Sequence, residues 1–296
     1  MTSNATFAHQ SYIGDRELNE DRAAIVERPD STLLILADGL GGHAGGEIAS
    51  QALVDAVSET FLGLTEEQLK EPKSFMTLAV NYAHKFIHRR ASEEGMLDYV
   101  PKTTCVLALL VDNVLLWCHV GDSRLYIVRD EMIIFHTSDH IAKGYGKNAP
   151  INRCVGGVER PIPAISEPML LEDGDIVFLC SDGAWKNLTV EDLNRIEKSF
   201  PQPDLDILLR KLERRNSYPS DNVSASMLCW GQAAVSSVTE SEQRAIDEKV
   251  QAELDSAMEN AQQSESAPRI PPSKSGNLDD AINQIESFIK DIDSKL

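Results

Sequence analysis

Residues 104–136 read TCVLALLVDNVLLWCHVGDSRLYIVRDEMIIFH. Four β-rich runs fill this stretch, at 104–111, 114–120, 125–129 and 132–136. The breaks at Asp112-Asn113 and Asp130-Glu131 are two residues long. A parallel return needs a crossover of roughly a dozen residues or more, whereas two residues suffice for a hairpin. The stretch therefore predicts antiparallel strands, not an alternating strand–helix–strand fold.

The same reading extends outward. Upstream, 23–26 and 32–37 are β-rich and are separated by the turn signal Pro29-Asp30. Ala49, Ala52, Leu53, Ala56 and Val57 share one face of a helix predicted over 47–62. Phe75, Leu78, Ala79, Tyr82 and Phe86 mark a second helix by the same spacing. Downstream, 176–180 and 223–230 read as strands, with helices around 190–196 and 205–215. Strands, then helices, then strands again predict an α+β fold with helices packed outside an antiparallel core.

Composition narrows the partners. The chain has 296 residues, of which 42% are hydrophobic, so a sizeable core is expected. Its formal net charge is -19, from 47 acidic and 28 basic residues, and no run of five Lys/Arg occurs. That balance repels polyanions, so neither nucleic acid nor an anionic membrane is expected as a partner. The start, MTSNATFAHQ, has no basic segment followed by an apolar one, and no apolar run approaches the roughly 20 residues that span a bilayer. A cytoplasmic location is expected. Cys105, Cys118, Cys180 and Cys229 lie in apolar runs and no C-x-x-C pair includes them or Cys154, which reads as reduced thiols.

Residues 1–232 read as one globular domain. Residues 233–276 are rich in Ala, Glu, Gln and Ser, with a polar helix expected at 239–262 and a linker at 263–276. Residues 277–296 form an amphipathic helix on pattern. Asn277 is its N-cap, and Leu278, Ala281, Ile282, Ile285, Ile289, Ile292 and Leu296 make one apolar stripe. So short a helix needs a surface: a partner, a second copy, or its own domain.

Four aspartates are not distributed like solvated surface charge. Asp38 ends the run TLLILA and precedes Gly39-Leu40-Gly41-Gly42. Asp122 follows the run VLLWCHVG, Asp182 follows IVFLCS before Gly183, and Asp221 precedes VSASMLCW. A single such Asp is commonly a turn former. Four at strand termini suggest a cluster, and clustered carboxylates are costly unless a cation neutralises them. An all-oxygen set favours magnesium or manganese over zinc. Arg16, which begins R-E-L-N-E-D, fits either an ion pair or a bidentate grip on an anion. The pattern Gly39-x-Gly41-x-x-Ala44 formally matches a dinucleotide loop, but Asp38 directly before it would repel a pyrophosphate. His84 and His88, four apart among basic residues, read as a solvated face; Ser123 and Ser181 lack a paired base.

In chain order stand R-x-x-N-x-D from Arg16 to Asp21, Asp38-Gly-Leu-Gly-Gly, Thr103-Thr104, Gly121-Asp-Ser-Arg124, Ser181-Asp-Gly183 and Asp221-Asn222. This ordered set resembles the type-2C metal-dependent serine/threonine protein phosphatases, and the loop DGLGGHAGGEIAS is similar to the bacterial branch. The resemblance spans residues 8 to 231. It implies a four-layer α-β-β-α sandwich of two antiparallel sheets flanked by helices, here followed by a C-terminal helical tail. It implies hydrolysis of phosphoserine and phosphothreonine in proteins by a metal-activated water. Two manganese or magnesium ions are implied, with Asp38 bridging them and the Gly39 carbonyl on the first. Asp182 and Asp221 would hold the second, Glu20 and Asp21 would act through waters, and Arg16 would bind the phosphate. Asp122 with Asp182 matches a third site, but Lys186 stands where many members carry another Asp, and a lysine there opposes a third cation. Leu40 stands where animal members often carry a histidine, so the proton donor is unassigned, with His43 and His140 as candidates. The stretch between His140 and Asn152 is shorter than the flap of bacterial members. A pseudo-phosphatase or a phosphoprotein-binding partner-switch regulator is the alternative, which the intact Asp38, Asp182 and Asp221 set disfavours.

Overall fold

The structure, a computed structural model, describes residues 4–40, 45–96, 99–142 and 150–231. It begins with strands β1 (Ala5–Tyr12), β2 (Asp21–Glu27) and β3 (Ser31–Leu40), then helices α1 (Gly46–Leu62), α2 (Glu66–Leu69) and α3 (Pro72–Glu93). Strands β4 (Lys102–Thr103), β5 (Cys105–Val111), β6 (Val114–Val120), β7 (Arg124–Arg129) and β8 (Met132–His136) follow. Three short strands come next: β9 (Val155–Gly156), β10 (Ala164–Ile165) and β11 (Met169–Leu170). The described fold closes with β12 (Ile176–Cys180), α4 (Asp182–Trp185), α5 (Val190–Leu193), α6 (Gln202–Arg215) and β13 (Val223–Trp230).

The two-residue breaks do make hairpins. β5 pairs antiparallel with β6, and β7 with β8. Asp130 and Glu131 both take positive φ, 48° and 62°, as a tight two-residue hairpin demands. One sheet runs β1-β13-β12-β7-β8. The other runs β10-β6-β5-β3-β4-β9, with β2 paired to β3 and β11 to β6.

Alternation along β3 separates the layers. Leu33, Ile35 and Ala37 join one core with Ala52, Leu53 and Val57 of α1 and Met76, Ala79 and Ala83 of α3. Leu34 and Leu36 face the other way, into a core shared with Leu125 and Ile127 of β7, Val177 and Leu179 of β12, and Leu228 of β13. Phe178, Ala225 and Met227 turn outward again and meet Leu205, Leu208, Leu209 and Leu212 of α6. Three cores therefore divide four layers, helix–sheet–sheet–helix. The expected sandwich is present.

All five cysteines are free, and all but the half-buried Cys154 are buried. Burial pushes the Cys118 and Cys229 thiols up to about 12 and raises those of Cys105, Cys154 and Cys180.

Several expectations need correction. Asp38 does not end its strand: β3 continues to Leu40, because Gly39 and Leu40 pair with Thr103 and Lys102 of β4. Asp182 does not end a strand either, but opens α4. The helix expected around 190–196 stops at Leu193, and that expected over 205–215 starts earlier, at Gln202. Strand β1 was not anticipated; it lies at a sheet edge, pairs only with β13, and carries a mixed burial pattern that hides its alternation. The segments at 233–276 and 277–296 lie outside the described residues.

Helix α5 is a single turn and needs an anchor. Asp192 provides it, capping back onto the Thr189 backbone and hydroxyl while accepting from Lys211 at 2.7 Å and Arg215 at 2.6 Å on α6. Burial raises the Asp192 carboxyl, but the bonds from Arg215, Lys211 and Thr189 outweigh it and hold its pKa at about 2. A lowered carboxylate pKa stabilises the fold above the unfolded value near 4, and the gain is lost as pH falls through about 2. Asp192→Asn is expected to cost about 2 kcal/mol in urea unfolding at pH 7, and less below pH 3. An equal cost at both pH values would exclude this ion-pair account.

Candidate metal centre

The centre is built where β2 and β3 open at one end of the sandwich. Asp21 and Asp38 are direct cross-strand partners. Asp38 shares the parity of Leu34 and Leu36, so it belongs to the face between the sheets. Its backbone is fixed on both sides: its N–H donates to Thr104 Oγ1 at 3.0 Å, and its carbonyl accepts from Thr104 N at 2.8 Å and Thr103 Oγ1 at 3.0 Å. Thr104 Oγ1 also meets Ser123 Oγ at 2.7 Å, which accounts for the buried Ser123 without a catalytic role.

Gly39 is glycine for lack of room. A Cβ there would lie 2.4 Å from the Gly46 carbonyl oxygen and 2.8 Å from that of Glu20. The Gly39 N–H donates to the Glu20 carbonyl at 3.1 Å, and the Glu20 carboxyl lies against Gly46. Gly183 is equally confined, with a Cβ position 2.1 Å from the Asn222 carbonyl oxygen. These close approaches bring the loops bearing Glu20, Asp38, Asp182 and Asp221 together.

The electrostatics record that crowding. Burial, then the charges of Asp21, Asp182, Asp122 and Asp221, raise Asp38 well above the usual carboxylate range. Burial pushes Asp21 up to about 7; bonds to Ser181 and Ser224 pull it back, and Asp182 and Asp221 push it further. Burial and Asp182 bring Asp122 to about 6, and burial and Glu47 raise Glu20. Asp21 Oδ2 is buried without a hydrogen-bond partner among the described residues.

Two of the aspartates already hold cations of the chain. Arg16 Nη2 donates to Asp221 Oδ2 at 3.0 Å, and Lys186 Nζ donates to Asp182 Oδ2 at 2.6 Å. Among the described residues, no three His, Cys, Asp or Glu side chains close on one point as a finished ion cage. The donor set nonetheless fits a hard divalent cation. It is all oxygen, too crowded to ionise fully alone, and includes an orphaned buried acceptor.

Asn222 enters the sequence motifs only as the second half of Asp221-Asn222, with no role of its own. Its side chain donates to the carbonyls of Ile13 at 2.7 Å and Leu18 at 3.1 Å and accepts from Glu20 N at 2.8 Å. It thereby ties the Arg16 loop to the strand that follows Asp221. The only sequence signal was its place after Asp221. Ser220 adds to the same tie, donating from N and Oγ to Asp15 Oδ2 at 2.8 and 2.9 Å.

On the Asp122 side, Trp185 Nε1 donates to the Asp122 carbonyl at 2.9 Å. Arg124 stacks on the Trp185 ring at 3.5 Å and grips Asp139 through two bonds of 2.8 Å. His140 stacks on His119 at 4.5 Å. Its ring Nδ1 accepts from Gly121 N at 3.2 Å while its backbone N–H donates to the Gly121 carbonyl at 2.9 Å. Burial, then His119 and Arg153, lower its pKa to about 4. His140 is thus neutral at pH 7, and it ties the Gly121-Asp122 turn through these two bonds. His43 lies outside the described residues. His84 and His88 are not a solvated face: their rings meet at 4.7 Å, and Gly156 N donates to His84 Nδ1 at 3.2 Å.

The chain matches the family description "Protein phosphatase 2C" over residues 10–148. It is 29% identical over 203 residues to the serine/threonine phosphatase stp of Listeria monocytogenes serovar 1/2a, covering 62% of this chain and 79% of that one. It superposes on the S. agalactiae serine/threonine phosphatase with a TM-score of 0.67 at 24% identity, covering 76% of this chain and 99% of that chain, a likeness of fold. The catalytic domain of the phosphatase PstP, solved with two manganese ions, gives 0.61 at 28% identity, covering 76% and 97%. Sequence order, sandwich and aspartate cluster agree with these likenesses: residues 10–148 match the protein phosphatase 2C description, and the chain is similar to bacterial serine/threonine phosphatases of that type.

Proposed function

We infer that this chain is a metal-dependent phosphatase of phosphoserine and phosphothreonine in proteins. The observation that carries the reading is the buried Asp21–Asp38 pair, crowded by Asp122, Asp182 and Asp221 and left with an unpartnered oxygen. Such a site is built for cations.

Manganese or magnesium, two ions per chain, suits the donor set. Asp38 would hold both, with the Gly39 carbonyl on the first, Asp182 and Asp221 on the second, and Glu20 and Asp21 acting through waters. Bound ions would make an attacking water substantially hydroxide near neutral pH and draw charge from the phosphoryl oxygens. Arg16 would grip those oxygens, and Asn222 and Ser220 hold its loop in position. Asp122 would serve a third ion only against the charge of Lys186. No cysteine is a candidate nucleophile, since four are buried and all five thiols are raised. Among the described residues, no helix is long and apolar enough to cross a membrane. The partner proposed is a phosphorylated protein substrate; docking through 277–296 lies beyond the described residues.

The test is phosphate release from a phosphothreonine peptide by chelated protein, before and after manganese is restored. Turnover should vanish with EDTA and return with the ion. Turnover indifferent to EDTA would refute the reading. Tight peptide binding with manganese but no release would favour the pseudo-phosphatase.

A further inference from the structure

The two carboxylates expected on one ion are the two that carry the chain's own cations. Asp221 holds Arg16 at 3.0 Å, and Asp182 holds Lys186 at 2.6 Å. Among the described residues, no Arg or Lys makes a hydrogen bond or ion pair to the carboxylates of Asp38, Asp21 and Asp122. The pairing is therefore selective.

Both cationic side chains are about half-exposed, 49% for Arg16 and 50% for Lys186, against 37% for Asp221 and 23% for Asp182. In each pair the cation, on the longer stem, is the more exposed member, and the difference is larger for Lys186 and Asp182. Asp182 opens α4 and is followed by Gly183, which is packed against Asn222 and has no room for a side chain. Lys186 closes the same turn four residues on, on a long flexible stem that passes the Trp185 ring at 6.0 Å. A divalent ion on Asp182 would compete with the ammonium of Lys186 for that carboxylate. The same holds for Arg16 on Asp221.

We propose that Lys186 is a second anion-binding group, paired with Arg16: both neutralise the ligand carboxylates until a divalent ion displaces them, and both then turn to the phosphoryl oxygens. The proposal rests on the phosphatase reading for the identity of the anion. It gives the chain a built-in order, ion before phosphate. The arriving ion replaces positive charge already present at its carboxylates, and the displaced charge stays beside the site to meet an anion.

The signature is a pair of opposite shifts, which a merely structural lysine would not produce. Lys186→Ala removes a competitor for the ion and a partner for the anion. Manganese affinity, read from the free-ion signal in electron paramagnetic resonance, should rise about tenfold. Inorganic phosphate affinity of the manganese-loaded protein, read by calorimetry, should fall about tenfold. Arg16→Ala should shift both the same way. Lys186→Arg should restore both, and Lys70→Ala, which removes a charge from a distant surface pair with Glu67, should move neither. If both affinities fall together in Lys186→Ala, or neither departs from the Lys70→Ala values, the proposal is wrong. Neither measurement needs turnover. A chain that hydrolyses phosphopeptides without these shifts loses this inference alone, and a chain that has the shifts but hydrolyses nothing loses the phosphatase reading alone.

Discussion

Asp38→Asn is expected to lower phosphopeptide turnover by about a thousandfold or more. Removing one oriented dipole from an active site costs about a hundred- to a thousandfold, and Asp38 would hold two ions where a dipole holds none. The change is isosteric, so packing is nearly preserved. It also removes the most strained charge of the cluster, since burial and four neighbouring aspartates oppose ionisation of Asp38. The chelated variant should therefore melt no lower than chelated wild type, which separates lost chemistry from lost folding. Manganese affinity should fall along with turnover. Undiminished turnover, or a variant that binds manganese as wild type does, would remove Asp38 from the centre.

The second large effect is on stability. In chelated protein, Asp21 has a pKa of about 7, and Asp38 is raised well above the usual range, chiefly by burial. Unfolded, both return to about 4. The folded chain thus binds more protons than the unfolded chain in between, and stability falls as pH rises through the folded pKa. His140 acts in the opposite sense, because its folded value of about 4 lies below the ordinary 6.5. Most of its contribution is in place above about pH 6.5, and the five raised thiols begin to lower stability only near their unfolded value of about 8.5, so the interval from about 6.5 to 7.5 reports chiefly the carboxylates. Asp21 alone should cost chelated protein about 1 kcal/mol as pH rises across that interval, and Asp38 adds to the loss in the same direction. Saturating manganese should abolish the slope and raise the melting temperature most at the alkaline end. A chelated melting temperature that is flat or rising there would contradict the crowding described at Asp21 and Asp38.

Much of the fold was legible because hairpin lengths forbid alternatives. Two-residue breaks at Asp112-Asn113 and Asp130-Glu131 exclude crossovers, and the unbroken apolar run at 33–37 fits a strand buried on both faces. Edge elements were not legible. β1 has one neighbour and a mixed pattern, and β4 and β9 to β11 are too short for any period. The aspartates of the site were readable because each stands beside an apolar run or a glycine. Their partners were not. Arg16 and Asp221 are 205 positions apart, and Asn222 bonds across 202 to 209 positions to Glu20, Leu18 and Ile13. Asp182 and Lys186 were the exception: four residues apart, they could have been read as a helical ion pair, with Lys186 a resident of the site as well as an obstacle to a third ion.

The cysteines carry a last consequence, for redox chemistry. A thiol reacts with peroxide or alkylating agents as thiolate, and at a pKa of about 12 the thiolate fraction at pH 7 is on the order of one in 10⁵. Cys118 and Cys229 are held at that value, and Cys105 and Cys180 are fully buried. With hydrolysis assigned to water and carboxylates, oxidants find no sulfur nucleophile to consume. Such a phosphatase would keep its turnover under conditions that silence phosphatases built on a catalytic thiolate.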